Sequence, residues 1–341
     1  MRNLQYLSPI QRRLVFFLIF GGGLLLLLAV TVLLAWQSLS SAARTQAVAL
    51  SDRVAVREFA VLPDDDAYPA AVAATPNGAI YTASYATGAL WSVDAAGAVS
   101  EVAGSRERFG AITGLEVSAD GALLIVDQLD TDPRSAGGVL WRVMPDGGIS
   151  EFGAPPPDRT WISPQDVAVD AAGFVYVTDS GHNEVWRFNP DGSAATVWWS
   201  SARAEGDAQH ALNGLAYDAA RQAMVITDPE VNRIYRVALA DGATEVLYDH
   251  GSQPNTPGFD GAVVLPDGTI YVAALGQNGI VRVADGQIEY IAGLFRGSSD
   301  LAYIAPDRLI VANFDQSSLV LPLVTPQLPF ALDEIDLNPG A

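Results

Sequence analysis

The segment NGLAYDAARQAMVITDP, Asn213–Pro229, contains the pattern that decides the fold. Apolar and polar residues alternate through its first half, a polar turn follows, and the second half is rich in β-branched residues. This pattern predicts two antiparallel strands joined by a short turn. Five further segments match it: AAVAATPNGAIYTAS from Ala70, TGLEVSADGALLIVDQ from Thr113, QDVAVDAAGFVYVTDS from Gln165, DGAVVLPDGTIYVAAL from Asp260 and SDLAYIAPDRLIVANF from Ser299. The six segments start 39 to 52 residues apart, a spacing typical of β-propeller blades.

Each repeat continues with two more predicted strands, which gives it the four strands of a blade. The third strand carries an aromatic or apolar residue before Arg or Ser, as in LWSV, LWRV, VWRF, IYRV and IVRV. A DG or AG turn then leads into the fourth strand. Residues after Val54 show no helical periodicity. The sequence therefore predicts an all-β, six-bladed propeller over residues 54–325.

The last repeat is incomplete, because its predicted third strand, SLVLPLV (Ser318–Val324), has no fourth strand after it. The strand-like run VAVREFAVL (Val54–Leu62) precedes the first repeat and has no local partner. We expect residues 54–62 to pair with the last blade, since this closes the ring and removes its open edges. Residues 326–341 are then a Pro-rich C-terminal tail.

The N-terminal region predicts a single membrane-spanning helix. Leu14–Trp36 is a run of 23 residues without a charge, long enough to cross a bilayer. A signal peptide has an apolar region of about 7–15 residues, so an uncleaved signal anchor is favoured and a cleaved signal is the alternative. Arg2, Arg12 and Arg13 predict a cytoplasmic segment 1–13 and an extracytoplasmic propeller at the cell membrane, joined through a tether at 37–53.

Composition excludes several classes of function. The chain has 341 residues, no Cys and a net charge of −20, which argues against disulfides, thiolate metal sites and nucleic-acid binding. Without its first three Arg residues the exported part carries −23. Anionic lipid head groups repel such a surface, so we expect the helix alone to hold the protein at the membrane.

The two faces of the predicted propeller differ in their loops. One face, the turn face, carries short turns such as PNG, ADG and PDG, whereas the other, the long-loop face, carries long and varied connections. Repeat proteins usually bind through the face with variable loops. The long-loop face includes these candidate binding residues: His182, His210, His250, Trp161 and Asp166. The alternative is that the histidines are solvated loop residues.

The repeats resemble a known family. LNGLAYDAARQAMVITDPEVNRIYRVALADG (Leu212–Gly242) is similar to a blade of the SMP-30/gluconolactonase/LRE-like propellers, which are six-bladed and related to paraoxonase and strictosidine synthase-like proteins. VYVTDSGHNEVWRF (Val175–Phe188) also resembles the NHL repeat. The resemblance covers roughly residues 54–325.

The resemblance implies a metal site at the channel mouth. Lactonase members hold one divalent cation with a Glu, two Asn and an Asp; Ca²⁺ suits such oxygen ligands best, and Mg²⁺, Mn²⁺ or Zn²⁺ can substitute. Asn213 matches an Asn ligand, and Asp260 matches the Asp, which is also the candidate general base. His210 is a second candidate for proton transfer. Gln165 stands at an Asn position and is one methylene too long, and Ala70 stands where the family has Glu.

Two functions follow from this partial match. The first is a propeller that binds a ligand, or a protein partner on its long-loop face, with a partly degenerate metal site. The alternative is a divalent-metal-dependent hydrolase of a small lactone or ester, in which the metal polarises the carbonyl. Lyase chemistry is a third possibility.

Overall fold

The computed structural model contains six antiparallel sheets that form the blades of a propeller. It describes residues 8–40, 45–201, 211–321 and 323–340. Two strands precede the first repeat: β1 (Val48–Ala49) and β2 (Ala55–Val61). Blade 1 contains β3 (Pro69–Ala74), β4 (Ile80–Ser84), β5 (Leu90–Val93) and β6 (Val99–Glu101). Blade 2 contains β7 (Ile112–Val117), β8 (Leu123–Asp127), β9 (Val139–Val143) and β10 (Ile149–Gly153). Blade 3 contains β11 (Pro164–Val169), β12 (Val175–Asp179), β13 (Glu184–Phe188) and β14 (Thr196–Ser200).

The remaining blades follow the same order, with the inner strand first. Blade 4 contains β15 (Leu215–Asp218), β16 (Ala223–Asp228), β17 (Arg233–Ala238) and β18 (Thr244–Asp249). Blade 5 contains β19 (Phe259–Val264), β20 (Ile270–Ala274), β21 (Gly279–Ala284) and β22 (Gln287–Gly293). Blade 6 contains β23 (Ser298–Ile304), β24 (Arg308–Asn313) and β25 (Ala331–Asp336), with β2 as its outer strand. Each inner strand contacts the inner strands of both neighbouring blades, and the contact of β23 with β3 completes the ring. The prediction of an all-β, six-bladed propeller is confirmed.

The third strand of blade 6 differs from the predicted one. It is Ala331–Asp336, inside the expected C-terminal tail. The expected Ser318–Val324 lies instead in a connection that includes the short helix Gln316–Val320. Prolines interrupt residues 318–329, and a Pro has no N–H to donate to a strand ladder. ALDEID is strongly acidic, but its Glu334 is buried and ion-paired to Arg57 and Arg308.

The core consists of six apolar clusters, and each lies between two adjacent blades. The cluster between blades 1 and 2, for example, joins Leu90, Ile112 and Trp141. The cluster between blades 6 and 1 joins Ile310 and Leu332 to residues of blade 1. Burial between blades, rather than within one sheet, therefore stabilises the ring.

Short helical segments lie in three connections. Helix α2 (Ser105–Arg108) lies between blades 1 and 2, α3 (Gln316–Val320) follows β24, and a 3₁₀ turn spans Leu275–Gln277. Strand β1 was not predicted, because residues 37–53 were interpreted as a tether. It pairs with β22 and gives blade 5 a fifth strand.

The contacts divide the chain into two compact units, Met1–Arg44 with Ser317–Gln327, and Thr45–Gln316 with Leu328–Ala341. The first unit contains the long helix Pro9–Ser40. Its start is a capping box: the Ser8 hydroxyl accepts the Gln11 N–H at 3.3 Å, and the Gln11 side chain accepts the Ser8 N–H at 2.9 Å. This cap extends the helix N-terminally beyond the uncharged run that starts at Leu14. By length and composition, Pro9–Leu34 is one candidate membrane span, with a mean hydropathy of 2.7.

Candidate functional site

The inner strands of five blades share a β-bulge near their long-loop ends. Their pairing with the second strand shifts register at Pro69/Ala71, Ile112/Gly114, Pro164/Val167, Phe259/Ala262 and Ser298/Asp300. A bulge inserts an extra residue and re-aims its side chain. In blade 4, regular pairing starts at Leu215, two residues after Asn213. One residue of each repeat occupies the equivalent position at the long-loop end of its inner strand. These six residues are called the mouth ring: Ala70, Thr113, Gln165, Asn213, Asp260 and Ser299.

The backbones that carry Asn213 and Asp260 approach each other very closely. A Cβ on Gly214 would lie 2.2 Å from the carbonyl oxygen of Asp260, so glycine is required between them. Thr227 in β16 fixes this approach: its hydroxyl accepts the Gly214 N–H at 2.7 Å and donates to the Asp260 carbonyl at 2.7 Å. Asn213 and Asp260 are therefore neighbours that the backbone holds in place.

The side chain of Asn213 is not used in this backbone network. The backbone N–H of Asn213 donates to the Thr227 carbonyl at 3.0 Å, and the backbone carbonyl of Asn213 accepts a hydrogen bond from the Thr178 hydroxyl at 2.6 Å. Within residues 8–40, 45–201, 211–321 and 323–340, no group forms a hydrogen bond with its side-chain amide. That amide is half-buried and available to a ligand.

The carboxyl group of Asp260 has a raised pKa. Burial in the channel raises the pKa well above the usual range, and the charge of Asp300 raises it further, while the Gly261 N–H opposes both effects. Burial therefore disfavours the charged form of this carboxyl group.

Two other mouth-ring positions contribute less than the family pattern requires. The Gln165 amide nitrogen donates to the Ser163 hydroxyl at 2.6 Å, which ties the side chain to its own loop. Ala70 has no donor atom in its side chain. Two of the four family positions, Asn213 and Asp260, therefore carry the residue type of the family, and this donor set fits a divalent cation only in part. Among the described residues, no group of three His, Asp or Glu side chains is arranged to hold a metal ion.

Two further carboxylates, in opposite blades, each follow a mouth-ring residue in the sequence. Asp166 accepts the N–H groups of Val167 at 2.8 Å and of Leu215, in the next blade, at 2.7 Å. Asp300 repeats this arrangement with Leu301 at 2.8 Å and Val72 at 2.8 Å. Each carboxylate thus binds an N–H on the channel edge of the neighbouring inner strand. Burial is the main cause that raises the pKa of both groups, in Asp300 to about 7.

The channel continues toward the turn face as a cavity of about 260 Å³. Glu116, Asp166 and Asp300 line it, together with apolar residues of the inner strands and the rings of Tyr217 and Tyr303. Burial raises the pKa of Glu116 to about 8, with a smaller contribution from Asp300. Glu116 and Asp300 were not among the predicted site residues. Their place in the aligned repeats, GLEV and SDLAY, marks them as inner-strand residues and is the signal that could have identified them.

The other predicted binding residues do not gather at the mouth ring. His182 pairs through Nδ1 with Asp179 at 2.8 Å and keeps an exposed edge, whereas His210 lies outside the described residues. His250 is buried: Nδ1 lies 3.0 Å from the Tyr248 hydroxyl and Nε2 lies 3.3 Å from the Pro254 carbonyl oxygen.

Trp161 is also buried, with 1% exposure, and packs edge-to-face on Phe188. Its ring belongs to the core between blades 2 and 3 and is therefore not open to a ligand on the long-loop face.

The chain resembles known proteins in family and in fold. The SMP-30/Gluconolactonase/LRE-like region matches residues 71–291. No curated protein matches the chain. A gluconolactonase from Xanthomonas campestris has a similar fold, with a TM-score of 0.61 and 16% identity, covering 87% of this chain and 96% of that one. The calcium-binding protein regucalcin from Agrobacterium tumefaciens also has a similar fold, with a TM-score of 0.57 and 16% identity. The match covers 81% of this chain and 93% of that one.

Virginiamycin B lyase from Staphylococcus aureus is also similar, with a TM-score of 0.54 and 15% identity, covering 76% of this chain and 82% of that one. At these identities the solved structures show the fold alone. The family match covers well over half of the chain and includes the whole of blades 2, 3 and 4. The chain therefore belongs to the SMP-30/gluconolactonase/LRE-like family.

Proposed function

We propose that the protein is a membrane-anchored, extracytoplasmic propeller that binds a ligand or a protein partner at its long-loop face. The mouth ring is its proposed site, and the metal site there is partly degenerate. One observation carries this proposal: of the four family ligand positions, only Asn213 and Asp260 keep the family's residue type, and Ala70 replaces the family's Glu. Pro9–Leu34 is the proposed anchor, with its N-terminal end in the cytoplasm because Arg2, Arg12 and Arg13 lie at that end and no acidic residue does.

The charge of the mouth ring supports binding rather than turnover. One carboxylate, itself with a pKa raised by burial, supplies little negative charge to hold a dication. The Asn213 amide offers both donors and an acceptor to an uncharged polar ligand, and the Asp260 carboxyl group beside it adds further acceptors.

A metal-dependent lactone or ester hydrolase is the second candidate function. The position of Asn213 beside Asp260 favours it, as does the gluconolactonase among the solved structures of the same fold. This function requires a bound divalent cation, with Ca²⁺ the best fit to oxygen ligands, an ionised Asp260, and a Gln165 side chain released from Ser163.

Restoring the missing carboxylate tests the two candidates. We expect the full-length protein in detergent to bind Ca²⁺ weakly, with a Kd of about 10⁻³ M by calorimetry. Ala70→Glu should tighten Ca²⁺ binding at least tenfold, because it adds a second carboxylate to the mouth ring. Ala96→Glu, on an exposed turn of the opposite face, is the matched control and should leave the Kd unchanged.

Hydrolysis of gluconolactone in the same samples separates binding from catalysis. For the binding proposal, the wild-type protein should hydrolyse this lactone no faster than the buffer does. Micromolar Ca²⁺ binding together with Ca²⁺-dependent hydrolysis that Asp260→Asn abolishes would instead establish the hydrolase and overturn the binding proposal.

A further inference from the structure

The connection between the second and third strands of blade 6 is unlike its counterparts. It has 17 residues between Asn313 and Ala331, whereas the same connection has 4 to 11 residues in the other five blades. Like them, it leaves from the long-loop face. Its central part, Ser317–Gln327, groups by contacts with the N-terminal helix and not with the propeller. We refer to Ser317–Gln327 as the blade-6 loop.

The blade-6 loop exposes large aliphatic side chains in succession. Val320 is 66% exposed, Leu321 54% and Leu323 57%. Residues 316–332 contain no charged side chain, although the whole chain has 39 acidic residues. An exposed apolar cluster of this kind on an otherwise acidic protein marks an interaction surface rather than a solvated loop.

The chain also enters the propeller on the long-loop face. Strand β1 places Val48 opposite Gly293, at the end of β22 from which the chain crosses to blade 6. Ten residues, 35–44, connect Leu34 at the end of the candidate span to Thr45. Fully extended, they reach at most about 36 Å. A bilayer crossed by Pro9–Leu34 is therefore within that distance of the entry point of the propeller.

We propose that the blade-6 loop inserts its exposed aliphatic side chains into the interfacial region of the bilayer that the N-terminal helix crosses. The proposal rests on the anchor in the proposed function. An uncharged segment with adjacent Val and Leu side chains suits this region, and the absence of acidic residues removes the repulsion that the rest of the surface meets. The N-terminal helix is then not the sole membrane contact, in contrast to the expectation from net charge.

Insertion of the blade-6 loop orients the whole site. The strands that flank the loop, β24 and β25, end and begin on the long-loop face, so insertion of the loop turns the mouth ring toward the lipid. The ligands that reach it are then amphipathic molecules that partition into the bilayer interface, with a polar group small enough for Asn213 and Asp260.

Single-cysteine labelling tests this orientation, because the natural chain has no Cys. Full-length Leu321→Cys, Ala96→Cys and Leu26→Cys variants are labelled with an environment-sensitive fluorophore in phosphatidylcholine vesicles. Quenching is measured with a spin-labelled phosphatidylcholine and with aqueous iodide. We expect the label at 321 to be quenched by the lipid probe and to be at least threefold less sensitive to iodide than the label at 96, on the turn face.

Equal iodide quenching at 321 and 96, with the label at 26 still quenched by lipid, overturns the insertion proposal and leaves the anchor intact. A label at 26 that lipid does not quench overturns the anchor itself and the insertion with it. As a second variant, Val320→Cys is labelled in a Leu321→Asp/Leu323→Asp background. Its label should become as accessible to iodide as the label at 96, whereas Val320→Cys alone should stay shielded.

Discussion

At the scale of single residues, the channel is defined by acidic groups whose charged form is disfavoured by burial. Glu116, Asp166, Asp260 and Asp300 all have raised pKa values, and burial is the largest cause in each. Asp166 and Asp300 each also accept two backbone N–H groups, so they stabilise adjacent inner strands. Ionisation of the whole set at once would place like charges in one narrow channel.

Stability should therefore fall as pH rises from acidic values through neutrality. A carboxyl group with a raised folded pKa stabilises the fold fully below its unfolded pKa, and that stability is lost as pH rises through the folded pKa. For Glu116 this window runs from about 4.5 to about 8. We expect a lower melting temperature at pH 9 than at pH 5, measured by calorimetry on the full-length protein.

Glu116→Gln should reduce this loss by an amount on the order of 2 kcal/mol, because the amide cannot ionise. The exposed Glu107 provides the matched control, and Glu107→Gln should keep the wild-type pH profile. An unchanged profile in Glu116→Gln would contradict the assignment of a raised pKa to this group.

The sequence predicted Asn213 and Asp260 as site residues but did not predict that Glu116 and Asp300 lie in the channel. The first two stand out because the family resemblance marks them. The last two lie in ordinary strand patterns, and their proximity arises only when strands from distant repeats converge on one channel. The burial of Trp161 and His250 likewise depends on packing between loops, which the sequence of one loop does not reveal.

At the scale of elements, side-chain hydroxyls link blades 3, 4 and 6 to the inner strand of the next blade. Thr178 and Thr227, at the same place in β12 and β16, donate to the carbonyls of Asn213 and Asp260. Ser299 in β23 donates to the carbonyl of Ala70 at 2.8 Å. The repeated bulge lies at two of these carbonyls, those of Asp260 and Ala70. It was not predicted, because a bulge changes the pairing register without changing the alternating pattern of the strand.

Loss of one such link should destabilise the propeller measurably. Thr227→Val removes two hydrogen bonds and leaves the Gly214 N–H and the Asp260 carbonyl unsatisfied in a buried place. We expect a cost of about 2 kcal/mol in the free energy of unfolding, measured by urea denaturation. Thr196→Val, on the exposed outer strand of blade 3, should stay within about 0.5 kcal/mol of wild type. Equal effects of the two substitutions would show that the link contributes nothing.

At the scale of the whole molecule, both ends of the propeller sequence form one blade. Six repeats of regular spacing were sufficient to predict the ring, and Val54–Leu62 was recognised as unpartnered. The third strand of that blade was misplaced because residues 326–341 were interpreted as a Pro-rich tail. In the fold, Asp333 and Glu334 are buried, and Glu334 pairs with arginines from β2 and β24.

The C-terminal residues should thus be essential rather than dispensable. A chain that ends at Phe330 lacks β25, so β2 has no partner and blade 6 loses its middle. We expect this truncation to yield no protease-resistant propeller. A chain that ends at Leu337 keeps β25 and the Leu337 N–H bond to Asp307, and it should melt within about 2 °C of the full chain. A protease-resistant product from the shorter chain would contradict this closure.

The shared blade also sets an order of events during synthesis. Arg57 and its partner Glu334 are 277 residues apart, so β2 leaves the ribosome roughly 14–55 s before the strand it needs, at the usual rate of translation. Throughout that interval its edge is unpaired while blades 1 to 5 assemble beside it. The ring therefore remains open until β25 has been made, and protection of β2 by a holding chaperone is most useful in that interval.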